Sequence, residues 1–328
     1  MGIATLRAAL ERLGAQVDII APRHRLPVLT ASRLVFNEQL RFRDWQPYDA
    51  IVGFDLDGYR IAGRTGKPHF AAPKGVIADE MRFERGLTRA LMGVQAACER
   101  LHVRRAHRVI ATSRYSAEAI YRLYGTREWP TVVPELIDLG EWRRFFGQAP
   151  RRASGRFTVL SVCRFYPRKR LEDLITAASL LKDSIPGLEV RIVGGGPRRA
   201  EWRRLAARLG LQATVTWLGD VDALSLASEY LSADLFCLPS AQEGFGIVFL
   251  EAMAAGLPVV AARAGAAPEL LPAETLAGCG DAGSLAAVIK RLYSNPEERA
   301  RLREEGLRRV EQFDAPRVAR LFLEALRL

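Results

Sequence analysis

The stretch FTVLSVCRFYPRKRLEDLITAASLLKDSIPGLEVRIV, residues 157–193, decides the fold of this 328-residue chain. Two short apolar runs, at residues 157–163 and 188–194, predict strands. Between them, residues 171–182 have the pattern of a helix that follows a charged turn. A strand, a helix and a second strand in this order predict parallel strands with helices on the faces of the sheet.

The same alternation continues on both sides of this stretch. Towards the carboxyl terminus we predict a helix at 199–210 and strands at 213–219 and 234–239. Towards the amino terminus we expect Ser113 to cap a helix, and a long helix at 79–103 to turn Met81, Leu87, Leu91, Val94 and Leu101 to one side. The strands predicted in this half lie near residues 17–21, 50–54, 69–72, 108–112 and 131–133.

These patterns predict two doubly wound α/β domains. The first domain spans residues 1–145, the linker 146–156 and the second domain 157–315, and a helix at 316–328 packs back on the first. The linker falls in GEWRRFFGQAPRRASGR, residues 140–156, which has no sustained period. The sequence begins inside a predicted helix, so we expect the first domain to lack its first strand. A start codon assigned downstream of the true one would explain the missing strand.

Composition limits the class of protein. The hydrophobic content of 49% with 26% charged residues is ordinary for a soluble globular protein. The longest weakly polar run, residues 247–260, is interrupted by Glu251, Gly256 and Pro258, so no transmembrane helix is expected. Four isolated cysteines without a CxxC pair give no local zinc motif and fit a reducing cytoplasm.

The formal charge is +11, and residues 1–150 carry 23 Lys and Arg against 16 Asp and Glu. This excess predicts an anionic partner without choosing among nucleic acid, an anionic membrane surface and a phosphorylated small substrate. No recognition motif of a known nucleic-acid-binding module is present, so nucleic acid ranks last.

Three segments could carry chemistry. Gly194, Gly195 and Gly196 follow a strand and precede a helix. At such a position the backbone can approach a phosphate or simply make a tight turn. Arg199 stands where the dinucleotide-binding fingerprint has its third glycine, so a nicotinamide site is not favoured. In VCRFYPRKRLEDLI, cations stand at the carboxyl end of a strand, where they suit a diphosphate or form a solvated basic loop. These cations are Arg164, Arg168, Lys169 and Arg170.

The third segment is AQEGFGIVFLEAMAAGLPVVA, residues 241–261. Glu251 lies two helical turns after Gly244, so a glutamate on the helix can face the cleft to which the helix start points. Carboxylates accept hydrogen bonds from vicinal hydroxyls of a ribose or a sugar. Helix capping by Glu243, with Glu251 meeting solvent or an arginine, explains the same residues equally well, and the pattern alone does not decide.

In combination these motifs resemble the retaining glycosyltransferases of family 4, which have the GT-B fold of two Rossmann-like domains facing a cleft. The resemblance rests on Arg164 with Lys169, on Gly194–Pro197, and on Glu243 and Glu251 with seven residues between them. It covers most of the chain and implies transfer of a sugar from a nucleotide-diphosphate sugar to a saccharide or lipid-linked acceptor in cell-envelope or polysaccharide biosynthesis.

The resemblance also implies residue roles. Arg164 and Lys169 would neutralise the donor diphosphate, assisted by the amides of Gly244, Phe245 and Gly246. Glu251 would hold the nucleotide ribose and Glu243 the donor sugar, while the three glycines from Gly194 lie near the nucleotide. No metal, cofactor or enzymic nucleophile is expected, because the leaving phosphate helps to deprotonate the acceptor.

The chain departs from the family pattern at four places. Cys163 and Arg170 replace common glycines of the diphosphate loop, and the opening strand is missing. Lys74 stands near the position where many members carry a histidine at the donor sugar, so it is our second catalytic candidate beside Glu243. The nearby His69 is expected to be a satisfied histidine of the core. The alternative to an enzyme is a non-catalytic nucleotide-sugar or saccharide-binding subunit.

Overall fold

The computed structural model describes residues 2–22, 27–152 and 155–327. They form two compact units, which we call unit 1 (Met1–Glu135 with Pro316–Leu328) and unit 2 (Leu136–Ala315). Each unit contains a parallel sheet with helices between its strands. The predicted α/β class with a parallel sheet in each domain is therefore confirmed.

Unit 1 has a four-stranded parallel sheet in the order β1-β2-β3-β4. The carbonyls of Ala325 and Arg327 accept hydrogen bonds from Arg108 Nη1 at distances of 2.9 and 2.8 Å, which ties the final helix to β3. The elements are α1 (Gly2–Arg12), α2 (Leu29–Leu40), β1 (Ile51–Phe54), β2 (His69–Ala72), α3 (Ile77–Glu80), α4 (Gly86–Arg105), β3 (Arg108–Ala111), α5 (Arg114–Tyr124) and β4 (Thr131–Val132), followed at the carboxyl end by α14 (Ala315–Ala325).

Unit 2 has a six-stranded parallel sheet in the order β10-β9-β8-β5-β6-β7. Its strands are flanked by helices that bury one continuous apolar core. The elements are α6 (Leu139–Gln148), β5 (Thr158–Val162), α7 (Leu171–Leu181), β6 (Glu189–Val193), α8 (Arg199–Arg208), β7 (Val215–Gly219), α9 (Ala223–Leu231), β8 (Leu235–Leu238), α10 (Ile247–Ala254), β9 (Val259–Ala262), α11 (Ala267–Leu270), β10 (Leu276–Ala277), α12 (Ala282–Ser294) and α13 (Pro296–Val310).

Most predicted strands are found within two residues of their predicted ends, but the strand near 17–21 is wrong. Residues 15–22 have no regular structure, and Ile19 is 45% exposed. A strand needs a neighbouring strand to accept and donate its backbone hydrogen bonds, and this segment pairs with none of the described strands of unit 1. Met1, on which the hypothesis of a downstream start rests, lies outside the described residues.

The buried face of α4 is not the one predicted. The helix begins only at Gly86, because Glu84 and Arg85 are extended, and Leu87 and Val94 are 74% and 46% exposed. The residues that α4 buries are Gln95, Ala96, Glu99, His102 and Val103. Hydrophobic periodicity fails here because three of these five side chains are polar and form hydrogen bonds with partners from other elements.

Histidines form the centre of this polar interior. His69 of β2 and His102 of α4 are both 0% exposed, and their Nε2 atoms lie 2.8 Å apart. His102 Nδ1 lies 2.6 Å from the carbonyl oxygen of Asp55, to which it donates. Burial lowers the pKa of His69 to about 3 and that of His102 to about 4. The expectation that His69 lies in the core is confirmed, but the histidine is only half satisfied: among the described residues its Nδ1 has no hydrogen-bond partner.

The predicted helix cap at Ser113 is also confirmed, since its side chain accepts a hydrogen bond from the amide of Ser116. Residues 140–156, which we expected to lack regular structure, include part of a helix. Their first part belongs to α6, capped by Asp138, and Trp142 is only 2% exposed. Residues 136–145, which we assigned to the first domain, thus lie in unit 2. Residues 153–154 of the predicted linker lie outside the described residues.

The glycine turn after β6 packs against the loop that follows β5. Gly194 adopts a φ of 115°, and a Cβ atom there would lie 2.0 Å from the carbonyl oxygen of Cys163. The carbonyl of Gly195 accepts a hydrogen bond of 2.9 Å from the amide of Phe165. The turn therefore has a packing role, which leaves open any contact with a ligand.

None of the helices in the described ranges is long and apolar enough to cross a membrane.

We predict that Gly194→Ala destabilises unit 2 by more than about 3 kcal/mol, because it adds both a clash and a left-handed φ. Gly195→Ala is the matched control, since its new Cβ atom would lie 3.9 Å from the nearest atom, Asp220 Oδ2. We expect the control to change the free energy of unfolding by less than about 0.5 kcal/mol. Urea denaturation followed by tryptophan fluorescence measures both, and equal effects would contradict the packing role.

The histidine pair predicts a pH dependence of unit 1. Unfolded histidines protonate near pH 6.5, whereas the folded pair resists protonation until the pH approaches 4, so the pair lowers stability as the pH falls through this window. Between pH 7 and 5 we expect wild type to lose about 2 kcal/mol more than His69→Gln. Hydrogen exchange of the β1 and β2 amides measures this, and parallel pH profiles for the two proteins would exclude it.

Candidate functional site

Unit 2 has one point at which the order of its strands reverses. From β5 the chain proceeds to β6 and β7 on one side, and β8, β9 and β10 lie on the other. Open parallel sheets bind ligands at such a switch point, outside the carboxyl ends of the strands. Two loops leave these ends side by side, and we call them the β5 loop (residues 163–170) and the β8 loop (residues 239–246).

A buried ion pair joins the two loops. Lys169 Nζ lies in direct hydrogen-bonding contact with Glu243 Oε1, and the two side chains are only 12% and 10% exposed. Ser240 Oγ donates to the same carboxylate oxygen over 2.9 Å. Burial would raise the pKa of Glu243, but the charge and hydrogen bond of Lys169 outweigh it, so the pKa is lowered and Glu243 is ionised at neutral pH.

Further hydrogen bonds fix the backbone of the β8 loop. Arg168 Nε donates to Gln242 Oε1 over 3.0 Å, and the Ala241 amide donates to the Arg168 carbonyl over 2.8 Å. The Glu243 carbonyl accepts from the amide of Ala266 over 3.0 Å. The loops are therefore held to each other by side chains and by backbone.

The helix that follows the β8 loop carries the second glutamate. Gly246 has a φ of 98° and leads directly into α10, where Glu251 is buried at 6% exposure. Phe245 packs edge-on against Phe313, with ring centroids 5.5 Å apart. Burial raises the pKa of Glu251 to about 7, although a hydrogen bond of 2.8 Å from Tyr230 Oη opposes the rise. The two glutamates thus differ: one is paired with a cation, the other with a hydroxyl.

The remaining cations of the β5 loop have different environments. Arg164 is exposed, and its Nη1 lies 3.5 Å from Asp220 Oδ1, a pairing that contributes little to stability. Arg170 takes the left-handed conformation, with a φ of 49°, that the family's usual glycine would adopt without strain. It donates two hydrogen bonds, of 2.6 and 2.8 Å, to Asp173. Arg170 is therefore occupied, whereas Arg164 points into solvent.

Lys74 belongs to unit 1, where it follows β2. Its Nζ lies 2.9 Å from Glu135 Oε1, and its amide donates to Asp55 Oδ1 over 2.8 Å. The ammonium also lies 5.2 Å from the centre of the Phe54 ring. Asp55, Lys74 and Glu135 each follow a strand of the sheet, so these charges gather at its carboxyl edge.

Sequence analysis missed the partners of these residues. Asp220 follows β7 at the same edge of the sheet as Arg164, and a rule that groups strand ends would have found it. Asp173 stands three residues after Arg170, the spacing of neighbours on a helix. Tyr230 and Ser240 gave no such signal, since an aromatic residue in a helix usually packs in a core. No group of three or more metal-binding side chains is found among the described residues.

Comparison with known proteins places the chain in a family. The model of the family described as Glycosyl transferases group 1 matches residues 143–309. A GDP-mannose-dependent alpha-(1-6)-phosphatidylinositol monomannoside mannosyltransferase of Mycolicibacterium smegmatis is 33% identical over 216 residues, which are 60% of this chain and 56% of that protein. The chain spans about half the length of several curated relatives that it matches.

Solved structures give the same fold. Sucrose-phosphate synthase from Thermosynechococcus elongatus matches with a TM-score of 0.75 and 25% identity, over 93% of this chain and 80% of that one. Anabaena HepE in complex with UDP and glucose matches with a TM-score of 0.73 and 22% identity, over 97% and 88% of the two chains. From the matched family model and the two parallel α/β units, we conclude that the chain belongs to the family Glycosyl transferases group 1 and has the GT-B fold.

Proposed function

We propose that the chain is a retaining glycosyltransferase, which moves a sugar from a nucleotide-diphosphate sugar to a saccharide or lipid-linked acceptor. The observation that carries the proposal is the meeting of Lys169 and Glu243 at the switch point of unit 2. A cation and a carboxylate held side by side at this point suit a substrate that has a diphosphate and a sugar. The family membership supports the same activity.

In this proposal Lys169 and Arg164 neutralise the donor diphosphate, and the amides of Gly244, Phe245 and Gly246 donate to it. As the bond between the anomeric carbon and the phosphate oxygen breaks, negative charge grows on the leaving diphosphate. Fixed cations and amides stabilise that charge without reorganising, which lowers the barrier. No metal ion is then needed, and activity should persist in the presence of a chelator.

The glutamates hold the other parts of the donor. Glu251 accepts from the ribose hydroxyls, and Glu243 contacts the donor sugar. Gly194, Gly195 and Gly196 line the nucleotide side of the site. By the resemblance, Lys74 is a second candidate for contact with the donor sugar.

The acceptor hydroxyl attacks the face that the diphosphate leaves. It forms the new bond to the anomeric carbon, and its proton passes to the departing phosphate oxygen.

The names of the similar proteins do not agree on one nucleotide or one sugar for the donor. The M. smegmatis relative is named for GDP-mannose, whereas the Anabaena structure contains UDP and glucose. The acceptor class is taken from the relative named for phosphatidylinositol monomannoside, which is a lipid-linked saccharide. With an acceptor of this kind, we propose that the reaction belongs to cell-envelope or polysaccharide biosynthesis and occurs at the cytoplasmic face of a membrane.

A membrane surface also fits one exposed segment of unit 1. At the start of α4, Leu87 is 74% exposed between the exposed residues Arg85 and Arg89. An apolar side chain flanked by cations suits an anionic lipid surface, with the cations at the headgroups. We therefore propose peripheral, electrostatic binding to the membrane that holds the acceptor.

The enzyme is tested with a panel of nucleotide sugars, including GDP-mannose and UDP-glucose, assayed for release of the nucleoside diphosphate. We expect one donor to be turned over, with and without EDTA. Lys169→Ala should lower kcat by about 10²- to 10³-fold, because it removes charge from the leaving group. Glu251→Ala should mainly raise the KM for the donor.

Lys182→Ala and Glu304→Ala are the matched controls, since both residues are exposed and lie outside the β5 and β8 loops. Both should keep wild-type rates. Binding of a nucleotide sugar without any turnover would favour the non-catalytic binding subunit. A chain that neither binds nor turns over any donor would remove the proposal.

Membrane binding is tested by sedimentation with vesicles of phosphatidylcholine, with and without phosphatidylglycerol. We expect binding only to the anionic vesicles, and weaker binding as salt rises from 0.05 to about 0.5 M. Leu87→Ser should reduce binding, whereas Leu224→Ser, at a 40% exposed leucine of unit 2, should not. Binding that is insensitive to lipid charge and to salt would exclude the electrostatic mode.

A further inference from the structure

We propose that Tyr230 is a positioning residue for the donor, because its hydroxyl holds the Glu251 carboxylate in the orientation that receives the ribose hydroxyls. The inference deepens the proposed function and rests on the role given there to Glu251. It concerns a residue of α9, outside the β5 loop, the β8 loop and α10.

The tyrosine ring cannot easily move. Tyr230 is 0% exposed, and its ring stacks on Phe236 with centroids 5.9 Å apart. On another side the ring meets Trp142 of α6 edge-on at 5.7 Å. Close packing of three aromatic rings fixes the position of the hydroxyl to within the tolerance of a hydrogen bond.

The hydroxyl has one partner, which is Glu251 Oε2 at 2.8 Å. A carboxylate has about four acceptor positions, so Tyr230 occupies one and leaves the others for a ligand. The bond also prevents rotation of the carboxylate about its own axis. A planar acceptor held in this way matches two adjacent hydroxyls, which must both donate to one carboxylate.

The hydroxyl matters more because, among the described residues, no lysine or arginine forms an ion pair with Glu251, and the hydrogen bond from Tyr230 is the largest influence that lowers its pKa. The elements packed against α10 include α6 and α13, and β9 contributes only apolar residues. In the described chain, none of the charged groups on these elements forms an ion pair with Glu251. They are Glu141, Arg143 and Arg144 on α6, and Arg303, Glu305 and Arg309 on the side of α13 that faces Met253, Gly256 and Leu257.

Tyr230 therefore also favours the ionised form of Glu251. Burial raises the pKa of Glu251 to about 7 even with the hydroxyl in place. Without the hydroxyl the carboxyl loses the largest of the interactions that favour its ionised form, and its pKa rises further. A neutral carboxylic acid accepts fewer hydrogen bonds, so donor affinity should fall at neutral pH and recover at higher pH.

The test is calorimetric binding of UDP-glucose, GDP-mannose and ADP-glucose to the full chain between pH 6.5 and 9. Both phosphates of a nucleotide sugar are esterified, so the diphosphate keeps its charge throughout this range. The uracil and guanine bases begin to ionise at its alkaline end, so ADP-glucose, whose adenine does not, is the ligand that controls for titration of the base. In wild type we expect affinity to weaken below pH 7. Tyr230→Phe keeps the packed ring and should weaken binding about 10-fold at pH 7 and less at pH 9.

Two further variants separate this role from a structural one. In a Glu251→Gln background, Tyr230→Phe should have little additional effect, because the two residues act as one unit. Tyr293→Phe, which removes a hydroxyl from α12, is the matched control and should bind as wild type does. Thermal unfolding of each variant checks that it is folded.

The outcomes distinguish the inference from the function on which it rests. If Glu251→Gln binds the donor as well as wild type does, the ribose role of Glu251 fails. If Glu251→Gln weakens binding but Tyr230→Phe does not, the ribose role stands and the inference is overturned. A loss in Tyr230→Phe that is equal at every pH, or equal in the Glu251→Gln background, also overturns it.

Discussion

The ion pair between Lys169 and Glu243 is the contact on which the candidate site depends. It joins loops that follow β5 and β8, the two strands between which the order of the sheet reverses. Removing two charges from water is costly, and the cost is offset only when the charges are well paired and hydrogen-bonded. Ser240 supplies the additional hydrogen bond. The pair and its hydrogen bond therefore fix the geometry of the site within the fold.

This arrangement gives each of the two glutamates a separate chemical character. Glu243 is ionised because a lysine lies against it, whereas Glu251 is held near its point of titration because only a hydroxyl does. A diphosphate arriving at the switch point offers Lys169 a second anion. In the proposed enzyme, the lysine then moves its charge from a resident carboxylate to the leaving group, with no large movement of the backbone.

The sequence predicted the architecture better than the interior. The strands of unit 2 are short apolar runs between breakers, so their positions were readable to within two residues. The buried face of α4 was not, because Gln95, Glu99 and His102 replace the expected leucines. A polar residue can be buried only when a partner from another element meets it, and one sequence does not show where those partners lie.

The candidate site likewise has residues that the sequence predicted and residues that it did not. Lys169, Glu243 and Glu251 were found because their types and spacing form a motif. Tyr230 and Ser240 were missed because their hydroxyls reach the glutamates only after the sheet has formed. Arg170 lies between these cases: its place after the lysine suggested a crowded loop, and the structure shows a strained backbone whose side chain turns to Asp173.

The most direct test of the account is a crystal structure of the full chain with a nucleoside diphosphate. The account predicts the diphosphate between the β5 loop and the β8 loop, the ribose hydroxyls on Glu251, and Lys169 Nζ drawn from Glu243 towards a phosphate oxygen. A nucleotide bound elsewhere on unit 2, with the pair of Lys169 and Glu243 unchanged, would contradict it.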